Sequence, residues 1–239
     1  MLRSQLHINC DLGEGFGNED KIIPLINACN LACGGHAGDT ETMRKVVALS
    51  KRHRVAVGAH PSYPDKAHFG RISVNMPPDK LISSIKAQIS DLETVLADAQ
   101  YPLSHIKPHG ALYNDLAKDK ELCAAFLSGL SPYKKRVQLL APFASVLNQM
   151  ATSDGWKVLT EAFADRNYTT NYSLVDRSHP EALITEPKAI AMHLKRMYIE
   201  NKLRCVEGSL LPIKADTYCF HSDGKNAASV IRQVLNELQ

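Results

Sequence analysis

Much that would announce a chemistry is missing from this sequence. No apolar run approaches the roughly 20 residues that a membrane-spanning helix needs, so a membrane protein is not expected. A single tryptophan and few aromatics accompany a net charge of only +3. The basic clusters, Lys51, Arg52 and Arg54 and then Lys134 to Arg136, are short and lack interleaved aromatics, which argues against a nucleic-acid partner. Six cysteines are present without a CxxC pair; reduced, buried thiols are expected rather than disulfides or a zinc knuckle. MLRSQ leads into a strand-like segment without an apolar signal region or cleavage site, so a cytoplasmic location is expected. The motifs GxGxxG, GxxxxGK[ST], HExxH and GxSxG do not occur, which leaves no signal for a dinucleotide fold, a P-loop, a helix-borne zinc site or a nucleophile elbow.

What is present is a rhythm. Strand-length apolar runs recur at Leu6 to Cys10, Ala28 to Cys33, Val55 to Ala59, His105 to Lys107, Val137 to Ala141, Lys157 to Thr160 and Thr217 to His221. Between them lie helical patterns at Thr40 to His53, Asp79 to Ala99, Leu116 to Leu130, Pro142 to Ser153, Pro187 to Asn201 and Lys225 to Leu238. In the second, Ile82, Ile85, Ile89, Leu92 and Leu96 form one apolar stripe that can lie on a sheet. Alternation of this kind predicts βαβ units and a parallel sheet in an α/β protein. A chain of 239 residues can form a single domain of this class, spanning 1–239.

Polar and glycine-rich residues fall just after the strands, in NCDLGEGFG, GGHAGDT, GAHPSYPD, KPHGALYN, EAFADRNY and FHSDG. The carboxyl ends of parallel strands form the site-bearing face. Six strand ends carrying polar groups suit a barrel mouth better than the single crevice of an open sheet. His36, His60, His109 and His221 fall at these ends, with Asp11, Glu14, Asp39, Asp65, Lys107, Asp165 and Asp223.

Three chemistries fit this set. Asp11, His36 and His60 could ligate zinc or another divalent ion with a position left for water. The glycines of LGEGFG and GGHAGD could bring amides to a phosphate, although Asp39 makes a good helix cap and would compete for the same amides. Metal-free acid–base chemistry would use His60 or His109 to move protons, a carboxylate to orient water and Lys107 to stabilise charge on oxygen.

The motifs NCDLGEGFG (Asn9 to Gly17), NLACGGHAGD (Asn30 to Asp39), GAHPSYPD (Gly58 to Asp65) with FGR (Phe69 to Arg71), IKPHGALYN (Ile106 to Asn114) and EAFADRNY (Glu161 to Tyr168) strongly resemble the LamB/YcsF family. LVDRS (Leu174 to Ser178) is similar to a later family segment. The resemblance implies a distorted seven-stranded (β/α) barrel, TIM-barrel-like and of the glycoside hydrolase/deacetylase type. It also implies ATP-dependent opening of 5-oxo-L-proline to L-glutamate with PxpB-like and PxpC-like partner proteins, Mg2+ accompanying the nucleotide. Carried onto this chain, it implies that Lys107 and Arg71 handle phosphate or carboxylate charge and that His60 and His109 move protons. Asp11 or Glu14 would hold magnesium or the attacking water. Asn9, His36, Asp39, Arg71, Tyr113, Asp165, Arg166 and His221 are expected at the substrate, with His36 foremost. The alternatives are a metal-dependent amide or N-acetyl hydrolase on the same barrel and a non-catalytic substrate-binding subunit.

Two departures stand out. The family usually reads CGFHAGDP where this chain has Gly35 and Thr40, and FHSDGKNAA only loosely matches VHGDTPGA. Loss of the aromatic at position 35 is expected to leave room in the loop or the site.

Overall fold

Short β-branched and apolar runs, each closed by glycine, proline or a polar turn, become the strands of a closed parallel barrel. The computed structural model describes residues 5–224 and 226–238. Its strands are β1 (Ile8–Leu12), β2 (Ala28–Ala32), β3 (Ala56–His60), β4 (Leu103–Ile106), β5 (Gln138–Pro142), β6 (Val158–Phe163), β7 (Lys202–Arg204), β8 (Leu210–Pro212) and β9 (Thr217–Phe220). The barrel closes in the order β1 to β6 and then β9, while β7 and β8 form a separate antiparallel hairpin. Every barrel pairing is parallel. This is the TIM-like α/β barrel that the strand–helix alternation predicts.

Helices α1 (Glu19–Ile22), α2 (Thr40–His53), α3 (Pro78–Asp98), α4 (Gly110–Leu116), α5 (Lys120–Gly129), α6 (Val146–Ser153), α7 (Pro187–Ile199) and α8 (Ala227–Glu237) accompany the barrel. Apolar stripes explain why the longer ones form. Leu81, Ile85, Ile89, Leu92 and Leu96 of α3 are buried at helical spacing, where each removes one large side chain from water. Asp39 starts α2 by accepting the Thr42 amide at 2.8 Å, and Ser145 starts α6 by accepting the Asn148 amide at 3.0 Å.

Several boundaries differ from the sequence pattern, for local reasons. The first strand is shifted toward its polar end, to Ile8–Leu12, because Asn9 and Asp11 face a polar interior rather than solvent. The helix expected over Leu116 to Leu130 begins later, as α5 at Lys120, since Asp119 accepts the Glu121 and Leu122 amides and caps it, while a separate helix, α4, ends at Leu116. Pro142 belongs to β5, so α6 begins at Val146. The short helix α1 and the β7–β8 hairpin had no clear signal. The expected start of the last helix at Lys225 lies outside the described residues.

All six cysteines are buried and free. Among the described residues, no helix is long and apolar enough to cross a membrane.

Gly35 corrects an expectation. A Cβ there would overlap Gln88 Oε1 and Ser62 Oγ, so the missing aromatic leaves no room. Gln88 fills the space from α3, accepting the Ser62 amide at 3.0 Å and donating to the Ser62 carbonyl at 2.9 Å. Gly35→Ala should therefore cost about 1–3 kcal/mol through overpacking. Combined with Gln88→Ala in denaturant unfolding, its effect should fall short of the sum by about 0.5 kcal/mol or more. Strict additivity would contradict this packing.

Candidate active site

The barrel interior is polar from its middle upward. On β1, Asn9 donates to Thr217 Oγ1 at 2.8 Å, while Asn30 from β2 donates to Asn9 Oδ1 and Asp11 Oδ1, both at 2.7 Å. His105 on β4 reaches over β3 to Asn30 Oδ1 at 2.7 Å. That reach is possible because Gly58 stands between them in register, and a Cβ at Gly58 would collide with the His105 ring. Since Asn30 Oδ1 can only accept, His105 Nε2 carries the hydrogen. Burial, then neighbouring His7 and Lys107, push the His105 imidazole down to about 3.

Lys107, the residue after β4, crosses the interior. Its ammonium lies 2.9 Å from Asp11 Oδ1, 3.1 Å from Cys219 Sγ and 3.4 Å from Asn9 Oδ1. It is also 3.0 Å from Glu161 Oε1 of β6, an ion pair whose angle leaves that oxygen without a directed hydrogen bond. Glu161 Oε2 instead accepts from Tyr113 Oη at 2.6 Å. Burial alone would neutralise the amine, but Asp11 and Glu161 overrule it and Lys107 stays protonated above its ordinary range. Asp11 likewise resists its burial, held well below the usual carboxylate range by His60 and Lys107.

Above this group sit three histidines and Glu14. His60 Nδ1 lies 2.8 Å from the Lys107 carbonyl, and His109 Nε2 lies 2.9 Å from the Phe69 carbonyl. The remaining nitrogens, His60 Nε2 and His109 Nδ1, are 3.0 Å apart. His36 stacks on His109 with centroids 3.6 Å apart and reaches Glu14 Oε1 at 3.2 Å. Burial lowers both His36 and His109, the latter further because His60 and His36 stand beside it. Glu14, His36, His60 and His109 place potential metal-binding atoms within 4.8 Å of one another.

A cavity of about 500 Å³ opens onto these groups and is lined by Asp11, Glu14, His60, Lys107, His109 and Tyr113. Its rim carries Arg71 and Arg177, which both donate to Asp223 Oδ2, at 2.8 and 2.7 Å. Although burial opposes it, Arg177 and His221 keep Asp223 below the usual carboxylate range. His221 is held by Asp165, whose Oδ1 lies 2.9 Å from its Nδ1 and whose Oδ2 accepts its amide.

The expected residues thus divide. Asp11, Glu14, His60, Arg71, Lys107, His109, Tyr113, Arg166 and His221 all line the one cavity. Arg166 does so as a loop anchor, donating to the Val175 and Ala182 carbonyls. Asn9 lies beneath the mouth in the polar interior, and Asp165 stands behind His221. Two more of the expected residues lie off the cavity wall. His36 is 2% exposed and stands behind His109 rather than on the cavity wall, because the ring stack turns its face inward. Asp39 is exposed and occupied as the α2 cap. Sequence reasoning missed Glu161, His105, Asn30 and Arg177. Glu161 was the most legible of these, a carboxylate ending a strand inside EAFADRNY.

The LamB/YcsF family model matches residues 6–239. A relative in Symbiobacterium thermophilum, named as the A component of 5-oxoprolinase, is 36% identical, covering 98% of this chain and 92% of the relative. One of the same name in Chloroflexus aurantiacus is 39% identical, covering 96% and 94%. A crystal structure of a lactam utilization protein from Thermus thermophilus is similar with a TM-score of 0.90 at 35% identity, covering 98% of this chain and 96% of that one.

His105 makes the interior sensitive to acid. The folded protein keeps it neutral to about pH 3, whereas the unfolded chain protonates it near the ordinary value of 6.5. The unfolded state therefore gains a proton first, and stability should fall as pH drops below about 6.5. His105 contributes up to about 1.4 kcal/mol per pH unit to that slope. Urea unfolding between about pH 7 and pH 5 should show a shallower decline for His105→Gln, which keeps a donor for Asn30. An unchanged slope would contradict the assignment.

Proposed function

The chain belongs to the LamB/YcsF family, and we propose that it opens the lactam of 5-oxo-L-proline to L-glutamate in a reaction coupled to ATP hydrolysis. It does so in the cytoplasm as one component of a complex with PxpB-like and PxpC-like partners, with Mg2+ as the nucleotide's counter-ion. What supports the reading is a near-full-length likeness to relatives named as the A component of 5-oxoprolinase, together with a cavity that combines anion-binding and proton-handling groups.

The chemistry explains the need for ATP. A five-membered lactam is a poor electrophile. Transfer of the γ-phosphoryl group to the lactam oxygen releases ADP and makes the ring carbon electrophilic. Water adds to that carbon, the ring C–N bond breaks with a proton passing to nitrogen, and an acyl phosphate remains. A second water releases phosphate and leaves glutamate.

This chain's residues fit those demands. Arg71 and Arg177 already share one carboxylate, Asp223, and an anionic group of the substrate or nucleotide would engage the same fork donors. His60 and His109, with Asp11 and Glu14 beside them, activate water and return a proton to the ring nitrogen. Lys107 fixes Asp11 and offers positive charge toward the cavity.

Coupled release of glutamate and ADP, measured with and without co-expressed partners, tests the reading. His109→Ala and Lys107→Ala in the assembled complex should each lower turnover roughly 100-fold or more. Undiminished glutamate release would overturn these assignments, and absence of any ATP-dependent release by the unmodified complex would overturn the function.

A further inference from the structure

The hydrogens on His60 and His109 do not add up without an extra cation. His60 Nδ1 faces the Lys107 carbonyl at 2.8 Å, and His109 Nε2 faces the Phe69 carbonyl at 2.9 Å. A carbonyl only accepts, so each of these nitrogens carries the ring hydrogen. His60 Nε2 and His109 Nδ1 are then left 3.0 Å apart, and in neutral rings both present lone pairs. Two lone pairs at that separation repel, so a positive centre belongs between them.

The surroundings carry the same deficit. Asp11 Oδ2 lies 3.5 Å from His60 Nε2, and Glu14 Oε1 lies 3.5 Å from His109 Nδ1. The Lys107 ammonium is already engaged by Asp11 and Glu161, whereas Glu14 faces only the imidazoles of His36 and His109.

We infer that His60 Nε2, His109 Nδ1 and Glu14 Oε1, three of the residues whose ligand atoms lie within 4.8 Å of one another, form a site for one divalent transition-metal ion of the zinc class, with its fourth position open toward the cavity. The separations of 3.0 Å between the two imidazole nitrogens and 3.5 Å from Glu14 Oε1 to His109 Nδ1 are close to the edge, about 3.4 Å, of a tetrahedron built from bonds of about 2.1 Å. The His60 and His109 rings are nearly perpendicular, at 84°, so both lone pairs can converge on one point. The backbone carbonyls that hold the two ring hydrogens are the outer partners that fix the tautomer of a metal-binding histidine. Two imidazoles and a carboxylate suit zinc and its neighbours, whereas magnesium prefers oxygen alone.

His36 is not a ligand in this arrangement. Its ring lies 3.6 Å above that of His109 at an interplanar angle of 3°, so an ion in the plane of one ring is far out of the plane of the other. It acts as a positioning residue, holding Glu14 at 3.2 Å. What the ion does rests on the lactam reading: its open position would take a water or the lactam oxygen, and proton transfer would pass to that water and Glu14. Metal binding itself does not depend on that reading.

The test uses the full chain alone, without ATP, 5-oxoproline or partners. After chelator treatment it is titrated calorimetrically with Zn2+ and separately with Mg2+, and Co2+ is added to read visible absorption. One Zn2+ per chain is expected, with Mg2+ at least about 100-fold weaker. His60→Gln and His109→Gln should each weaken Zn2+ at least about 10-fold while leaving the metal-free circular dichroism spectrum unchanged. Should either variant fail to fold, the Co2+ spectrum of the unmodified chain decides, with ligand-field bands expected at one equivalent. No Zn2+ uptake and no Co2+ bands, or uptake unaffected in both folded variants, would overturn the site. An imidazole nitrogen spectrum showing one proton shared between His60 and His109 would then name the proton as the cation. Such a failure leaves the lactam reading standing, just as an inactive complex would leave a measured metal site standing.

Discussion

A single buried ammonium organises this barrel. Lys107 enters the interior from β4 and meets Asp11 of β1, Glu161 of β6 and Cys219 of β9, so strands far apart in sequence converge on one charge. Such a group is costly to desolvate and persists only where partners surround it. That requirement explains why inward positions which a (β/α) barrel usually fills with branched apolar side chains are here asparagine, aspartate, histidine, glutamate and threonine. Once Lys107 claims Asp11, Asn30 must serve Asn9 and Asp11 together, His105 must serve Asn30, and Gly58 must be small enough to let it pass.

The same residue joins interior to mouth. Its side chain fixes one oxygen of Asp11, leaving the other turned toward His60. Its carbonyl accepts from His60 Nδ1 and so sets the tautomer of that ring. The two imidazole nitrogens that face each other are thereby presented to the cavity by backbone and by buried charge, with little freedom to rearrange. A site held from beneath in this way is preorganised, which is what stabilisation of developing charge requires.

Much of this was readable from the chain. The alternation of apolar strands and amphipathic helices carried the barrel, and polar residues following the strands carried its mouth, because these depend on periodicity and direction, both local properties. What stayed hidden depends on register. His105 and Asn30 look like ordinary strand residues until β2, β3 and β4 are laid side by side and Gly58 falls between them. Position after a strand also does not tell which ring stands in front: His36 and His109 occupy equivalent places, yet stacking puts His36 behind. Gly35 misled for a related reason, since the side chain that fills its space, Gln88, lies on a helix further along the chain. The pairing of Arg71 and Arg177 on Asp223 joins three loops distant in sequence and leaves no local trace.

A double-mutant cycle on Asp11 and Lys107, followed by denaturant unfolding, measures the organising interaction directly. Asp11→Asn and Lys107→Met should each cost about 3–5 kcal/mol by taking away a close partner of a buried charge, and the double variant should lose far less than their sum. Additive losses would show that the ammonium and the carboxylate do not depend on one another and would contradict the account.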